Sequence, residues 1–426
     1  MRRLAQIALL VVVALHLSCS DKGVVRETEP LYTPRYAKGF SIVRDKASGE
    51  KLLCVTNPWQ GANEVTLYTV IDTLAPAKRI VAMSSSHAAM LDAIGCADRI
   101  VGLSGCKYIY NATLCKAIAE GKIGEVGYDS AFDFEKIRSL NPDIILIYGV
   151  AGETKSMTSK LDELSIPYIY IGDYLEADPL GKAEWVVALA SLCGEEERGA
   201  EFFAEVEERY NTVREECKSL SRKPRVMLNT PYRDTWFMPP HNSYMVRLIE
   251  DAGGEYVLTE NGKRKTENVT YALSKSRDCE TQNEEQKTKS AKRKTENVTY
   301  ALSKSRDSET QNEEQKTKSA KLRAENTSHP ISLEEALILA MRADFWLNLG
   351  QIATIEELKA SVPRFAAVEA VQRGRLYNNT KRTNENRGSD FWESGAIRPD
   401  LILEDLVKIL HHEAPTDSLH YYKRLQ

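Results

Sequence analysis

The stretch Phe132-Asp133-Phe134-Glu135-Lys136-Ile137-Arg138-Ser139-Leu140-Asn141-Pro142-Asp143-Ile144-Ile145 changes character halfway. Phe134 to Leu140 reads as a short helix, and Asn141-Pro142 ends it, because proline cannot continue a helical ladder. From Asp143 to Tyr148 a run of apolar and β-branched residues reads as a buried strand. The same alternation extends both ways. Upstream, Arg79 to Met83 is a strand, Ser84 to Ser86 a turn and helix cap, His87 to Ile94 a helix stopped by Gly95, and Ile100 to Leu103 a second strand. Downstream, Thr154 to Leu164 is a helix and Tyr168 to Ile171 a strand. Strands separated by helices predict parallel βαβ units.

Between Gly181 and Ser221 there is no proline, and the only glycines are Gly194 and Gly199. Apolar residues recur there at helical spacing, so the segment is predicted to be one long helix, or two nearly collinear ones. After Pro224 the alternation restarts with Arg225 to Leu228, Ser243 to Ala252, Ile331 to Met341, Phe345 to Leu349 and a final helix from Leu401 to Leu410. The expected fold is α/β: two Rossmann-like lobes, 78–180 and 224–412, joined by a single long helix over 181–221, with a ligand cleft between the lobes. Residues 27–74 carry short β-branched runs and read as a β-rich N-terminal extension.

Residues 263–291 and 292–320 are tandem copies that differ only at Cys279 against Ser308. They are polar, mixed in charge and nearly free of large apolar residues, which predicts a disordered insertion over 262–326 within the second lobe. Two copies without an apolar stripe cannot build a solenoid. The start, Met1-Arg2-Arg3 followed by an apolar run to Leu17 and then Ser18-Cys19, reads as a signal peptide over 1–19. Its apolar run is shorter than a spanning helix needs. The remaining seven cysteines (54, 96, 106, 115, 193, 217, 279) show no C-x-x-C spacing. Cys106 and Cys115 are candidates for a disulfide, or else free and buried.

The 426 residues carry both charge signs in abundance, and the net charge is only −4. With a pI near 6.1 the chain lacks the concentrated basic surface of nucleic-acid binders. Phosphate-loop, dinucleotide, zinc-protease and nucleophile-elbow motifs are all missing from the sequence, which favours a binding protein over an enzyme.

Arg79-Ile80-Val81-Ala82-Met83 followed by Leu91-Asp92-Ala93-Ile94-Gly95 and Asp98-Arg99-Ile100-Val101-Gly102, together with the stretch from Phe132 to Ile145, resembles the helical-backbone, class III periplasmic substrate-binding proteins of ABC importers. Ile331 to Leu337 followed by Ala343-Asp344-Phe345-Trp346 is a looser likeness in the second lobe. The N-terminal extension, the repeat and the finish Gly388-Ser389-Asp390-Phe391-Trp392-Glu393 depart from that family. The resemblance implies a non-enzymatic, monomeric, extracytoplasmic receptor that captures a ferric siderophore, haem or a corrinoid such as vitamin B12 and delivers it to a permease. No resident cofactor is implied. It also implies a lipobox, with Cys19 acylated to anchor the protein in a membrane; simple cleavage nearby is the alternative. In such a receptor one glutamate on each lobe pairs with permease arginines: Glu135 matches the first, and Glu334 is favoured over Glu335 for the second.

Ligands of α/β lobes bind at the carboxyl-end loops of the sheets. Aromatic and cationic residues collect in those loops, and Tyr108, Tyr128, Tyr232, Arg233, Trp236, Arg382 and Trp392 are the candidate ligand contacts, since aromatic faces suit a planar or macrocyclic ligand and arginine forks suit its acidic groups. His87 follows the first strand as a possible metal ligand but is read as structural. His411-His412 suit a helix C-terminus and need no metal. A two-lobed secreted α/β enzyme and a direct metal-ion receptor are the rival readings.

Overall fold

The computed structural model describes residues 26–128, 131–150, 152, 154–258 and 328–426. The signal peptide with Cys19, and the tandem repeat over 262–326, lie outside the described residues. The described residues divide into two compact units, one of residues 26–221, Asp251–Gly253 and Asn379–Lys423, the other of Arg222–Glu250, 254–258, 328–378 and Arg424–Gln426.

The first unit opens with an antiparallel meander of β1 (Thr28–Tyr32), β2 (Phe40–Asp45), β3 (Lys51–Thr56) and β4 (Thr66–Val70). Asp45 makes its first tight turn, accepting the amides of Ala47 at 2.8 Å and Ser48 at 3.2 Å. One face closes over Val43, Leu52 and Cys54, covered by Tyr68 and Val70.

A parallel sheet follows, built from β5 (Ile80–Ala82), β6 (Ile100–Leu103), β7 (Gly124–Glu125), β10 (Ile144–Ile147) and β11 (Tyr168–Tyr170) in the order β11-β10-β5-β6-β7. The short antiparallel pair β8 (Gly127–Tyr128) and β9 (Ala131–Phe132) lies between. Helices α1 (Ser85–Ala93), α2 (Ala112–Ala119), α3 (Phe134–Ser139) and α4 (Lys155–Glu163) are the crossovers. Asp143, leading into β10, fixes the central pair: its amide donates to the Arg79 carbonyl at 2.8 Å, and its Oδ2 accepts the Lys78 and Arg79 amides at 2.8 and 2.9 Å.

The expected single connecting helix is corrected here to two helices, α5 (Pro179–Cys193) and α6 (Glu196–Cys217). Gly194 ends α5 in the left-handed conformation with φ +68°, a geometry glycine adopts without steric cost. The chain then turns back, and a Cβ at Gly199 would overlap the Ala190 side chain, so that glycine permits the close packing of α6 on α5. Helical spacing alone could not separate the two, because α5 is buried nearly all round and shows no polar face.

The second unit repeats the plan with β12 (Arg225–Leu228), β13 (Thr235–Met238), α7 (Tyr244–Asp251), β14 (Glu255–Tyr256), β15 (His329–Ser332), α8 (Leu333–Ala340), β16 (Phe345–Leu347), α9 (Ile355–Ser361), α10 (Glu369–Gln372) and β17 (Leu376–Asn378). Its sheet runs β14-β12-β16-β17, closed at the edge by β18 (Lys423–Arg424). Asp344 repeats the part of Asp143: its amide reaches the Arg225 carbonyl at 2.8 Å, and its Oδ2 accepts the Arg225 amide at 2.8 Å.

The span 224–412, read from the sequence as one C-terminal lobe, is divided differently in the structure. Asn379–Lys423, including α11 (Pro399–His412), belongs to the first unit. Buried Asp405 on α11 holds the returning chain by accepting the amides of His420, Tyr421 and Tyr422 at 2.6, 2.7 and 3.1 Å.

The meander is tied to α5 by one carboxylate. Glu184, fully buried, accepts the Tyr32 hydroxyl at 2.7 Å and the amides of Arg35, Tyr36 and Ala37 at 2.8, 2.9 and 2.8 Å. Hydrogen bonds to a charged acceptor are about twice as strong as neutral ones, and losing the acceptor strands its buried donors. Glu184→Ala is expected to lower the unfolding free energy by about 3–5 kcal/mol. Urea denaturation checks the loss, and limited proteolysis should release the first strands early.

Candidate functional site

In the first unit the chain leaves β5 for β6 on one side and returns to β10 on the other. The strand order therefore reverses between β5 and β10, and ligands of open α/β sheets bind outside the carboxyl ends at such a switch point. Three loops meet there. Ser84 caps α1, its hydroxyl accepting the Ser86 amide at 3.3 Å, and places His87 in the first turn. Tyr148-Gly149 follows β10, and Asp173 follows β11.

His87 is wholly buried, with Nε2 3.7 Å from Asp173 Oδ1 and its ring edge-on to Tyr148. Lys182 Nζ lies 3.6 Å from the other Asp173 oxygen. Burial pushes the Asp173 carboxyl up, but the Lys182 ammonium and His87 outweigh it and hold the group at about 2. The cluster pins the loop after β5 to the loop after β11 and leaves His87 no exposed nitrogen to offer a ligand.

The meander reaches this edge as well, which sequence reasoning missed. The Gln60 amide donates to the Gly149 carbonyl at 2.9 Å, and Trp59 packs on Tyr170 with ring centroids 5.3 Å apart. A bulky aromatic in a loop beside Pro58 was the available signal. The extension is thus part of the rim of the switch point and not a mere preface.

In the second unit the order reverses between β12 and β16. Asn229 and Asn348 follow those strands with φ +65° and +60°, a left-handed turn that asparagine tolerates. The Trp346 indole donates to the Asn229 carbonyl at 2.7 Å and fixes the first turn. Beyond it Tyr232 is 66% exposed, and the Arg233 guanidinium lies 5.3 Å from its ring centroid.

Tyr108, Arg382 and Trp392 all fall in the first unit, on two segments that the structure brings together. Asn384 donates to the Lys107 and Ile109 carbonyls at 3.0 and 2.9 Å, and Gly388 passes so close to the Tyr108 carbonyl that a Cβ would overlap it. Arg382 bonds Asp390 and covers the Tyr110 ring at 5.0 Å. Tyr108 and Trp392 keep 37% and 54% exposure, whereas Phe391 is buried against Tyr421 and Tyr422. Tyr128 pairs through its backbone with Ala131; its side chain lies outside the described residues.

Trp236 is the exception and is corrected: it is 0% exposed, donates to the Leu228 carbonyl at 3.0 Å and packs on Trp346 and Phe365. The expected loop is a tight turn followed by β13, whose alternation turns Trp236 and Met238 inward and leaves Phe237 out. Trp236→Ala is therefore expected to cost about 3–5 kcal/mol of stability, read as a fall in the urea midpoint.

Glu393 joins the two segments of the first unit, its carboxylate accepting the Tyr110 and Asn111 amides at 2.8 Å each. Burial pushes its carboxyl up to about 7, with Asp390 and Asp92 adding to the rise against those two amide bonds. Because the folded state binds this proton more tightly than the unfolded chain, its contribution is full below the ordinary carboxyl range and is lost as pH rises through 7. Stability should fall by on the order of 3 kcal/mol from this group between pH 4.5 and 8, and Glu393→Gln should flatten that slope in pH-resolved urea titrations.

Residues 80–279 match the family model described as periplasmic binding protein. An uncharacterised lipoprotein of Methanocaldococcus jannaschii is 26% identical over 349 residues, 80% of this chain and 66% of that protein. A second protein of the same organism is 27% identical over 142 residues, 33% of this chain and 42% of its own length, so the chain spans just under two thirds of the one relative and less of the other. A periplasmic haem-binding protein of Pseudomonas aeruginosa superposes with a TM-score of 0.52 at 14% identity, covering 82% of this chain and 98% of that one. One from Vibrio cholerae gives 0.51 at 12%, covering 78% and 98%. A periplasmic binding protein of Veillonella parvula gives 0.51 at 13%, covering 83% and 97%. Among the described residues no helix is long and apolar enough to cross a membrane. Residues 80–279 thus carry the likeness to the periplasmic binding protein family, and the chain shares the fold of such proteins.

Proposed function

We propose that the protein is the extracytoplasmic substrate-binding component of an ABC importer, capturing an iron chelate, either haem or a siderophore, or a corrinoid, and passing it to a permease. The family match over residues 80–279 carries this reading. The haem-binding proteins that share the fold favour the ligand class. Tyr108, Arg382 and Trp392 in the first unit and Tyr232 and Arg233 in the second are the proposed ligand contacts, with Tyr128 as a further one. Aromatic faces and guanidinium groups suit a flat chelate with acidic substituents. The chain works without catalysis, as a monomer, held at a membrane by acylated Cys19; the lipoprotein relative supports that anchor.

Glu135 and Glu334 are the proposed permease contacts, and the helix geometry favours the pair. With Asp133 and Ser332 as N-caps, each glutamate is the second residue of its helix, and each is exposed. Glu335 instead turns back, its Oε2 accepting the Ser332 amide at 2.9 Å in a capping box. Among the described residues Glu334 pairs with the exposed Arg364, at 3.0 Å, an exchangeable surface pair.

Thermal-shift titration with haemin, ferric siderophores and cobalamin tests the ligand class; binding of none of them would sink the reading. Glu135→Lys with Glu334→Lys is expected to abolish ligand-stimulated transport by the reconstituted importer and to leave ligand affinity within about twofold, since rim charges govern docking and not ligand contacts. Transport that survives the double reversal would remove the docking role.

A further inference from the structure

Cys96 precedes the single turn Ala97–Arg99, and Cys193 is the last residue of α5. Both are fully buried thiols, near enough for each to shift the other's titration, and the Arg99 guanidinium bonds the Cys193 carbonyl beside them. The two turns that carry them are held together by groups other than sulfur. Arg99 donates to the Cys193 carbonyl at 2.6 Å and to Glu195 Oε1 at 2.7 Å. The Ala77 amide reaches the Leu192 carbonyl at 3.0 Å. Gly95 lies so close to the Arg198 guanidinium that a Cβ would overlap it. The backbones that carry the two thiols are therefore fixed independently of the sulfurs.

We propose that Cys96 and Cys193 form a disulfide in the exported protein. The proposal rests on the extracytoplasmic reading only for its oxidant, a small or protein-borne disulfide donor of the kind found in oxidising compartments. One cysteine thiolate attacks a donor sulfur and expels a donor thiolate, forming a mixed disulfide. The second cysteine thiolate then displaces the remaining donor thiolate. Each cysteine gives up its S–H proton, one S–S bond forms in the protein, the donor's S–S bond breaks, and the two donor thiolates take up the protons as thiols.

Burial raises both thiols, so the nucleophilic thiolate is scarce once the unit has closed. Oxidation accordingly accompanies folding, and a reductant reaches the finished bond only on unfolding. Cys96 Sγ donates to the Ile94 carbonyl at 3.8 Å, and the competing pair also meets carbonyls, Cys106 Sγ that of Leu103 at 3.8 Å and Cys115 Sγ that of Ile109 at 3.2 Å; the difference is burial, since Cys106 is only half-buried and Cys115 exposed.

The test is to refold the full chain in an oxidised and reduced glutathione buffer, alkylate free thiols, digest without reduction and map the peptides. A linked peptide pair holding Cys96 and Cys193 is expected. Chain refolded under reductant should melt on the order of 10 °C lower, since the bond closes a long loop. The Cys96→Ala, Cys193→Ala double variant should melt alike under both conditions. Alkylated Cys96 and Cys193 after oxidative refolding, or a link confined to Cys106 and Cys115, would overturn the proposal. Should the double variant fail to fold, the peptide map of the unsubstituted chain still decides. That map is read without any ligand, so a failure of the chelate-binding reading leaves it untouched.

Discussion

Each unit depends on one aspartate that leads into a central strand. Asp143 and Asp344 each exchange main-chain and side-chain hydrogen bonds with the residue that opens the neighbouring strand, Arg79 and Arg225. A two-point contact of this kind sets the register of a parallel pair, and a slip of one residue would turn every side chain to the wrong face. Both clamped pairs, β5 with β10 and β12 with β16, are also where the strand order reverses. Fold and candidate site thus share one constraint.

The same chemistry recurs wherever irregular chain must be fastened. Glu176 accepts the Lys38 and Gly39 amides, Glu184 the amides of Arg35 to Ala37, Glu393 those of Tyr110 and Asn111, and Asp405 those of His420 to Tyr422. Loop amides carried into an interior need acceptors, and a carboxylate serves two or three at once. Burial raises the carboxyls of Glu176, Glu393 and Asp405 against the pull of those amides, which makes the fastening sensitive to protonation.

This fastening changes what the N-terminal meander and the C-terminal return do. The meander is attached through Glu184 and Glu176 and brings Trp59 and Gln60 to the switch-point rim of the first unit. The return segment is attached through Glu393 and brings Arg382 over Tyr110 and Trp392 into the same unit as Tyr108. Two of the segments that depart from the resembled family, the N-terminal extension and the finish from Gly388 to Glu393, are thus built into the first unit.

The βα alternation, the helix ahead of Asp143 and the family likeness were legible in the residues themselves, because period, proline and capping chemistry act over neighbours in sequence. So were Glu135 and Glu334, whose placement follows from local helix starts. Tertiary structure alone decided the rest. Gly194 reverses the chain because α6 can pack on α5 across Gly199, a contact that local periodicity does not encode. Trp236 is core because β13 pairs with β15, some ninety residues on, and that pairing selects which face of the strand is buried. Asn379–Lys423 joins the first unit because Glu393 finds its amides 282 and 283 positions away. Composition could supply the carboxylate and the aromatic rings; only the folded chain chose their partners, since burial and long-range hydrogen bonding are properties of the assembled packing and not of any local stretch.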